Sequence, residues 1–145
     1  MKQIRGFKDE YRWLSNFWFV PIHFDEPGIT FPTVEHAYQA AKNPEDHWVR
    51  YILSKDTPGQ AKKAGRVVLL RSDWEEVKVP IMEQLITMKF SNPEMRQLLL
   101  DTGDIDIIEE NYWGDRFWGV CNGRGHNMLG NIIMKERDRI KGENS

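Results

Sequence analysis

Between Trp113 and Gly130 the chain carries five glycines, two tryptophans, two asparagines and a single acid, Asp115. No regular core strand or helix accepts that density of glycine, because each glycine loses more backbone freedom on folding than any other residue. A solvated loop, in turn, has little use for two indoles. Glycine lets the backbone come close to another group, and an indole face stacks on a planar partner. One reading is therefore a pocket rim that grips a flat ring beside a partly desolvated carboxylate. The other is a Gly-rich turn whose tryptophans plug the core, and this stretch alone leaves both open.

The remaining sequence limits what can surround it. At 145 residues the chain reads as a single domain, residues 1–145, with its core over about 7–140 and a frayed tail after Lys141. A formal net charge of −2 argues against a general electrostatic grip on nucleic acid, although a local basic pocket for one or two phosphates stays compatible with it. Cys121 is the only cysteine, so the chain holds no intrachain disulfide and no cysteine-rich metal site. A reducing cytoplasm is the simplest compartment, and Cys121 reads as a small buried residue rather than a nucleophile. Met1–Gly6 has no apolar signal core, and no run approaches the length of a membrane span. His23, His36, His47 and His126 lack metal-ligand spacing, and neither a phosphate loop nor a dinucleotide fingerprint is present, so no metal and no cofactor are expected.

Taken in order, Phe17–Ile22 and Ile29–Phe31 read as short strands of a hairpin turned at Pro27-Gly28, with Pro21 at an edge or at the strand's end. Thr33 caps a helix over Val34–Lys42 that Asn43-Pro44 stops. Val34, Ala37, Tyr38 and Ala41 share one face of it, Glu35 and Gln39 another. Further helices are expected over Pro44–Leu53, from Thr57-Pro58 to Gly65, from Asp73 through a kink at Pro80, from Asn92-Pro93 to Leu100, and from Asn127 to Ile140. Lys62, Lys63 and Arg66 read as a solvated basic face, with phosphate binding as the alternative. Ile105–Glu109 alternates weakly and reads as a brief strand. The fold class is then α+β, a helix-dominated single domain with one small sheet built from the hairpin and the segment before Trp113.

Glu35, Lys42, Asp115, Trp74, Trp113 and Trp118 are the side chains that chemistry can use. Four segments carrying them or flanking them are Leu14–Phe17, Thr33–Lys42, Trp113–Gly119 and Gly125–Gly130. In that order and spacing they resemble the NADAR family, the YbiA-like N-glycosidases, over roughly Phe7 to Arg139. The resemblance implies cleavage of a bond between ribose C1 and an amine nitrogen, without a cofactor. It implies as substrate a small phosphorylated N-riboside, either a phosphoribosylamino-pyrimidine of riboflavin synthesis or ADP-ribosylated guanine, including guanine in nucleic acid.

Glu35, Asp115 and Lys42 are the implied catalytic residues, expected to converge on one pocket. Ser15, Asn16, Phe17, Trp74, Trp113, Trp118, Gly119, Arg124 and Asn127 are the implied substrate contacts. Trp74 is a candidate to stack on the base; of Trp113 and Trp118, one should line the cleft and the other pack inward, while Trp13, Trp18 and Trp48 are assigned to the core. Backbone N–H groups over Gly119–Gly125, with Arg124 or Arg12, are the candidates for phosphate. A rise of about 1.5 Å per residue separates the Cα atoms of Glu35 and Lys42 by roughly 10 Å, within reach of one sugar carbon for two flexible side chains. The chemistry suits either a carboxylate that steadies a cationic sugar or a lysine that attacks C1 to form an imine. A module that binds ADP-ribose or a related nucleotide without cleaving it is the alternative function.

Overall fold

A computed structural model describes residues 2–143 and divides the chain into two compact units. One is made from the two ends, up to Ser15 and from Phe90 onward; the other is Asn16–Lys89. In chain order the strands are β1 (Gln3–Arg5), β2 (Phe19–Phe24), β3 (Ile29–Thr33), β4 (Asp106–Ile108), β5 (Glu110–Asn111) and β6 (Val120–Cys121). The helices are α1 (Val34–Ala41), α2 (Asp46–Leu53), α3 (Pro58–Ala64), α4 (Trp74–Phe90), α5 (Pro93–Asp101) and α6 (Met128–Glu143). Helices dominate and the strands are short, so the class is α+β, as expected. No helix among the described residues is long and apolar enough to cross a membrane.

The middle unit is organised on α1. Strands β2 and β3 form the expected antiparallel hairpin, pairing Ile22 with Phe31 and Phe24 with Ile29. The register slips between Phe19 and Ile22. Pro21, which has no N–H to give a ladder, sits in that irregularity rather than at the strand's end. The hairpin runs straight into α1, where the Thr33 hydroxyl accepts from His36 N at 3.0 Å as the N-cap. The His36 ring is tied at both nitrogens, Nε2 donating to Lys55 O at 2.9 Å and Nδ1 meeting Thr33 Oγ1 at 2.8 Å. Helices α2 and α3 and the hairpin all pack on α1, so every residue from Val34 to Ala40 is buried, Glu35, His36 and Gln39 included. Polar side chains on a helix buried all round need partners. Helix α3 starts from a reciprocal cap of Thr57 and Gln60, with Pro58 at its first position. Helix α4 continues through Pro80.

Near the end of α4, Lys89 is fully buried, and burial pushes its ammonium down to about 7. In the unfolded chain the same lysine titrates near 10.5. Between these values the unfolded state holds a proton that the folded state has lost, so stability rises with pH from about 7 to 10.5 and this contribution is flat below 7. The slope from this one group reaches at most about 1.4 kcal/mol per pH unit. Thermal melts of the parent and of Lys89→Met across pH 6–10 check this: the difference between the two should change with pH only above about 7. A constant difference contradicts it.

In the terminal unit, β1 pairs in parallel with β4 (Ile4 against Ile107), and β5 in parallel with β6. Helix α6 packs on β4 and on α5. The α5 cap is Asn92, whose side chain accepts from Glu94 N and Met95 N. Buried Arg137 donates to Thr102 Oγ1 at 2.9 Å and Ile105 O at 2.8 Å, tying α6 to the turn before β4.

Several expectations need correction. Among the described residues the single small sheet is instead three two-stranded sheets, and the segment before Trp113 pairs with β1, not with the hairpin. Helix α2 begins at Asp46 rather than Pro44. Helix α6 runs past Lys141 to Glu143; the last part of the tail expected to fray, residues 144–145, lies outside the described residues. Asn127 adopts φ +50, and its amide goes not to the helix end but across to Glu109 N at 2.9 Å and Ile107 O at 3.0 Å.

Candidate active site

In the middle unit the candidate residues gather at α1. Glu35 is 8% exposed, and its backbone N–H, one of the helix's unpaired first-turn donors, is taken by Asn16 O at 3.0 Å. That bond ties the turn bearing Asn16 and Phe17 to the start of α1. One turn further on, Gln39 donates from Nε2 to Glu35 Oε2 at 2.5 Å. Lys42 follows as the helix C-cap, its carbonyl held by Arg71 N at 2.9 Å. Burial lowers the Lys42 ammonium; Glu35 opposes this, and Lys62 of α3 adds to the lowering. The Lys42 ammonium lies 5.6 Å from the centre of the Tyr38 ring, and Lys62 lies 5.8 Å from that of Phe17, which is 38% exposed. Two amines therefore share this neighbourhood with one buried carboxylate. Lys62 is not simply part of a solvated face.

Trp74 does not offer a face for stacking. It is 7% exposed and packs at 5.2 Å against Tyr38, supporting the ring under Lys42.

In the terminal unit the Gly-rich stretch is a loop docked on the start of α6. The N–H groups of His126, Asn127, Met128 and Leu129 donate to the carbonyls of Arg116, Gly119, Phe117 and Trp118 at 2.8–3.2 Å. The helix's unpaired donors are thus spent on the loop and not on an anion. Within the loop, Asp115 Oδ1 accepts from Phe117 N at 3.1 Å and Trp118 N at 2.9 Å. Buried Asn111 clasps the Asp115 backbone from both sides, donating to its carbonyl at 2.8 Å and accepting from its N–H at 3.1 Å. Trp113 is 56% exposed, edge-on to Tyr112 at 5.4 Å, while half-buried Trp118 lies edge-on to Phe117 at 4.8 Å.

In the proposed phosphate cradle, three backbone donors are already spent within the fold. Val120 N goes to Glu109 O, and Cys121 and Arg124 exchange backbone bonds across a tight turn. The Arg124 residue itself is exposed, and Arg12 donates to Asp9 O at 3.2 Å. Ser15 N bonds Arg12 O at 3.1 Å.

Sequence reasoning missed Gln39, Lys62 and Asn111 as parts of these arrangements. Gln39 was visible as a neighbour of Glu35 on one helix face. Asn111 carried no local signal, because its partners lie across an irregular loop.

The family model described as NADAR domain matches residues 4–141. The N-glycosidase YbiA of Shigella boydii is 37% identical over 139 residues, covering 91% of this chain and 83% of that protein. The riboflavin biosynthesis protein PYRR, chloroplastic, of Zea mays is 37% identical over 134 residues, covering 81% of this chain and 21% of that protein. The NMR structure of the E. coli protein YbiA superposes with a TM-score of 0.85 at 33% identity, covering 99% of this chain and 89% of that one. The chain belongs to the NADAR family.

Proposed function

We propose that the chain hydrolyses the bond between ribose C1 and the exocyclic amine of a phosphoribosylamino-pyrimidine, with Glu35 and Lys42 carrying the chemistry. The class of enzyme is a hydrolase acting on N-glycosyl compounds, in line with relatives named N-glycosidases. The observation that carries the residue assignment is one helix, α1, holding a buried carboxylate and, two turns on, an amine made less basic by burial. The pyrimidine is favoured over ADP-ribosylated guanine because two relatives are named for riboflavin biosynthesis, although this chain covers only 21% of one and 36% of the other.

When the C1–N bond breaks, its electron pair leaves on the nitrogen, which must take a proton, and positive charge builds on the sugar. A desolvated carboxylate opposes that charge more strongly than one in water. A neutral Lys42 can instead attack C1; the amine departs protonated, the ring opens to an imine, and water then releases the sugar and restores the lysine. We favour the lysine route, because burial, the largest influence on Lys42, pushes it toward its neutral form against the opposing pull of Glu35, with Lys62 adding to the lowering. Glu35 then steadies the cationic carbon on either side of the imine.

Lys62 and Phe17 offer a cation and a ring face for phosphate and pyrimidine. Asp115, Trp113 and Arg124 in the terminal unit are carried forward as proposed participants, each to be read by its own variant. A single buried cysteine, Cys121, suits a reducing cytoplasm.

The test is a side-by-side assay of the parent chain on a phosphoribosylamino-pyrimidine and on ADP-ribosylated guanine, following free base and reducing sugar. Faster release from the pyrimidine is expected. Faster release from guanine moves the substrate assignment, and binding without release of either overturns the enzyme reading in favour of a sensor.

A further inference from the structure

Resting on the reading of Glu35 as the reacting carboxylate, we propose that Gln39 is a positioning residue for it, and that residue 65 is glycine so that Gln39 can serve. Nε2 of Gln39 lies 2.5 Å from Glu35 Oε2, with both residues buried. An amide N–H bonded to a carboxylate oxygen holds its rotamer and favours its charged form. The other end of the amide, Oε1, is buried and has no hydrogen-bond partner among the described residues. Packing alone would be served by a methionine or leucine, with no oxygen left desolvated. The amide is therefore retained for its N–H.

Gly65 supplies the matching observation. A Cβ there would lie 1.8 Å from Gln39 Oε1, 2.7 Å from its Cδ and 3.5 Å from its Cγ. Its backbone, φ −66 and ψ −13, is open to any residue, so space and not conformation demands the glycine. The helix backbone at Gln39 is also anchored, its carbonyl accepting from Trp48 Nε1 at 2.9 Å. Lys42, at the end of α1, feels both the Glu35 carboxylate and Lys62 of α3. His36 is taken by Thr33 and Lys55, His23 of β2 by Thr30, and Arg71 by Asp73.

The experiment measures kcat, KM and the pH profile on a phosphoribosylamino-pyrimidine for the parent and four variants. These are Gln39→Met, Gly65→Ala, Gln39→Ala and the Gln39→Ala/Gly65→Ala pair. Gln39→Met should lower kcat at least about tenfold with KM within about twofold, and move the acid-side ionisation limiting kcat to higher pH. Its melting temperature should match or exceed the parent's. Gly65→Ala should lower kcat in the same way, and that effect should vanish in the Gln39→Ala background, since the added methyl meets only the Gln39 side chain at close range. An active parent with kcat and pH profile unmoved in Gln39→Met overturns the inference. So does a Gly65→Ala effect of equal size with and without the Gln39 side chain. A parent that releases no sugar overturns instead the functional reading beneath it.

Discussion

Glu35→Gln should lower kcat by about a thousandfold, close to 4 kcal/mol of transition-state stabilisation, while KM should stay within about threefold. The substitution keeps the shape of the side chain and an oxygen for Gln39 Nε2 to meet, so it removes charge and little else. Charge is what matters once the C1–N bond has begun to break, and the sugar carbon, neutral in the ground state, makes little use of it before then. The fold should tolerate the change, since taking a buried charge away without breaking its hydrogen bond costs little. Stopped-time assays of released sugar, with a thermal melt on the same preparation, check both halves. A variant within about tenfold of the parent would remove Glu35 from the chemistry. A variant that fails to fold would make it a structural residue.

The second large effect is on the other unit. Gly119→Ala should destabilise the chain by about 3 kcal/mol, or roughly 10 °C in melting temperature for a chain of this length. A Cβ at Gly119 would stand 1.7 Å from Glu109 Oε2, 2.2 Å from Glu109 O and 2.6 Å from Asn111 Nδ2. Unlike the Gly65 case, one of these atoms is backbone and another belongs to the buried amide that clasps Asp115, so no flexible tip can swing clear. The loop that seats on the start of α6 must shift to make room. A melting temperature within about 2 °C of the parent's would show that the loop is looser than described.

How far the sequence could be read depended on the range of each interaction. Thr33, Thr57 and Asn92 announced their helices because a cap is closed within three residues. The hairpin was visible because Phe19–Phe24 and Ile29–Thr33 lie close together in the chain. Strand β1 was invisible: Gln3–Arg5 is three residues long, and its partner lies about a hundred residues away. No local periodicity can report such a pairing. Asn127 looked like a cap, but its amide binds the backbone of Ile107 in β4 and of Glu109 just after it, a role fixed only once the loop has folded. Gly65 ends its helix as read, but the room it leaves for the Gln39 amide is something local conformational preference cannot reveal.

The site was legible in part for the same reason. Glu35, Gln39 and Lys42 lie within eight residues on one helix, so spacing alone put the carboxylate and the amine within reach of one carbon. The aromatic assignments depended on packing. Trp13 and Trp48 are buried as expected, Trp18 is half-buried, and Trp74 supports Tyr38 where a stacking face was expected. The Gly-rich stretch took a form between its two readings. It is a docked turn with an exposed indole at Trp113 and a half-buried one at Trp118.

The central claim is that Lys42 and Glu35 act together on the sugar carbon, and borohydride trapping tests it most directly. The parent chain is mixed with a phosphoribosylamino-pyrimidine, reduced during turnover, digested and read by mass spectrometry. The account predicts a reduced sugar phosphate attached to Lys42 and to no other lysine, absent without substrate and absent in Lys42→Ala, which should also lose most activity. An active parent with no adduct, together with a Lys42→Ala variant that still turns over at a comparable rate, would contradict it.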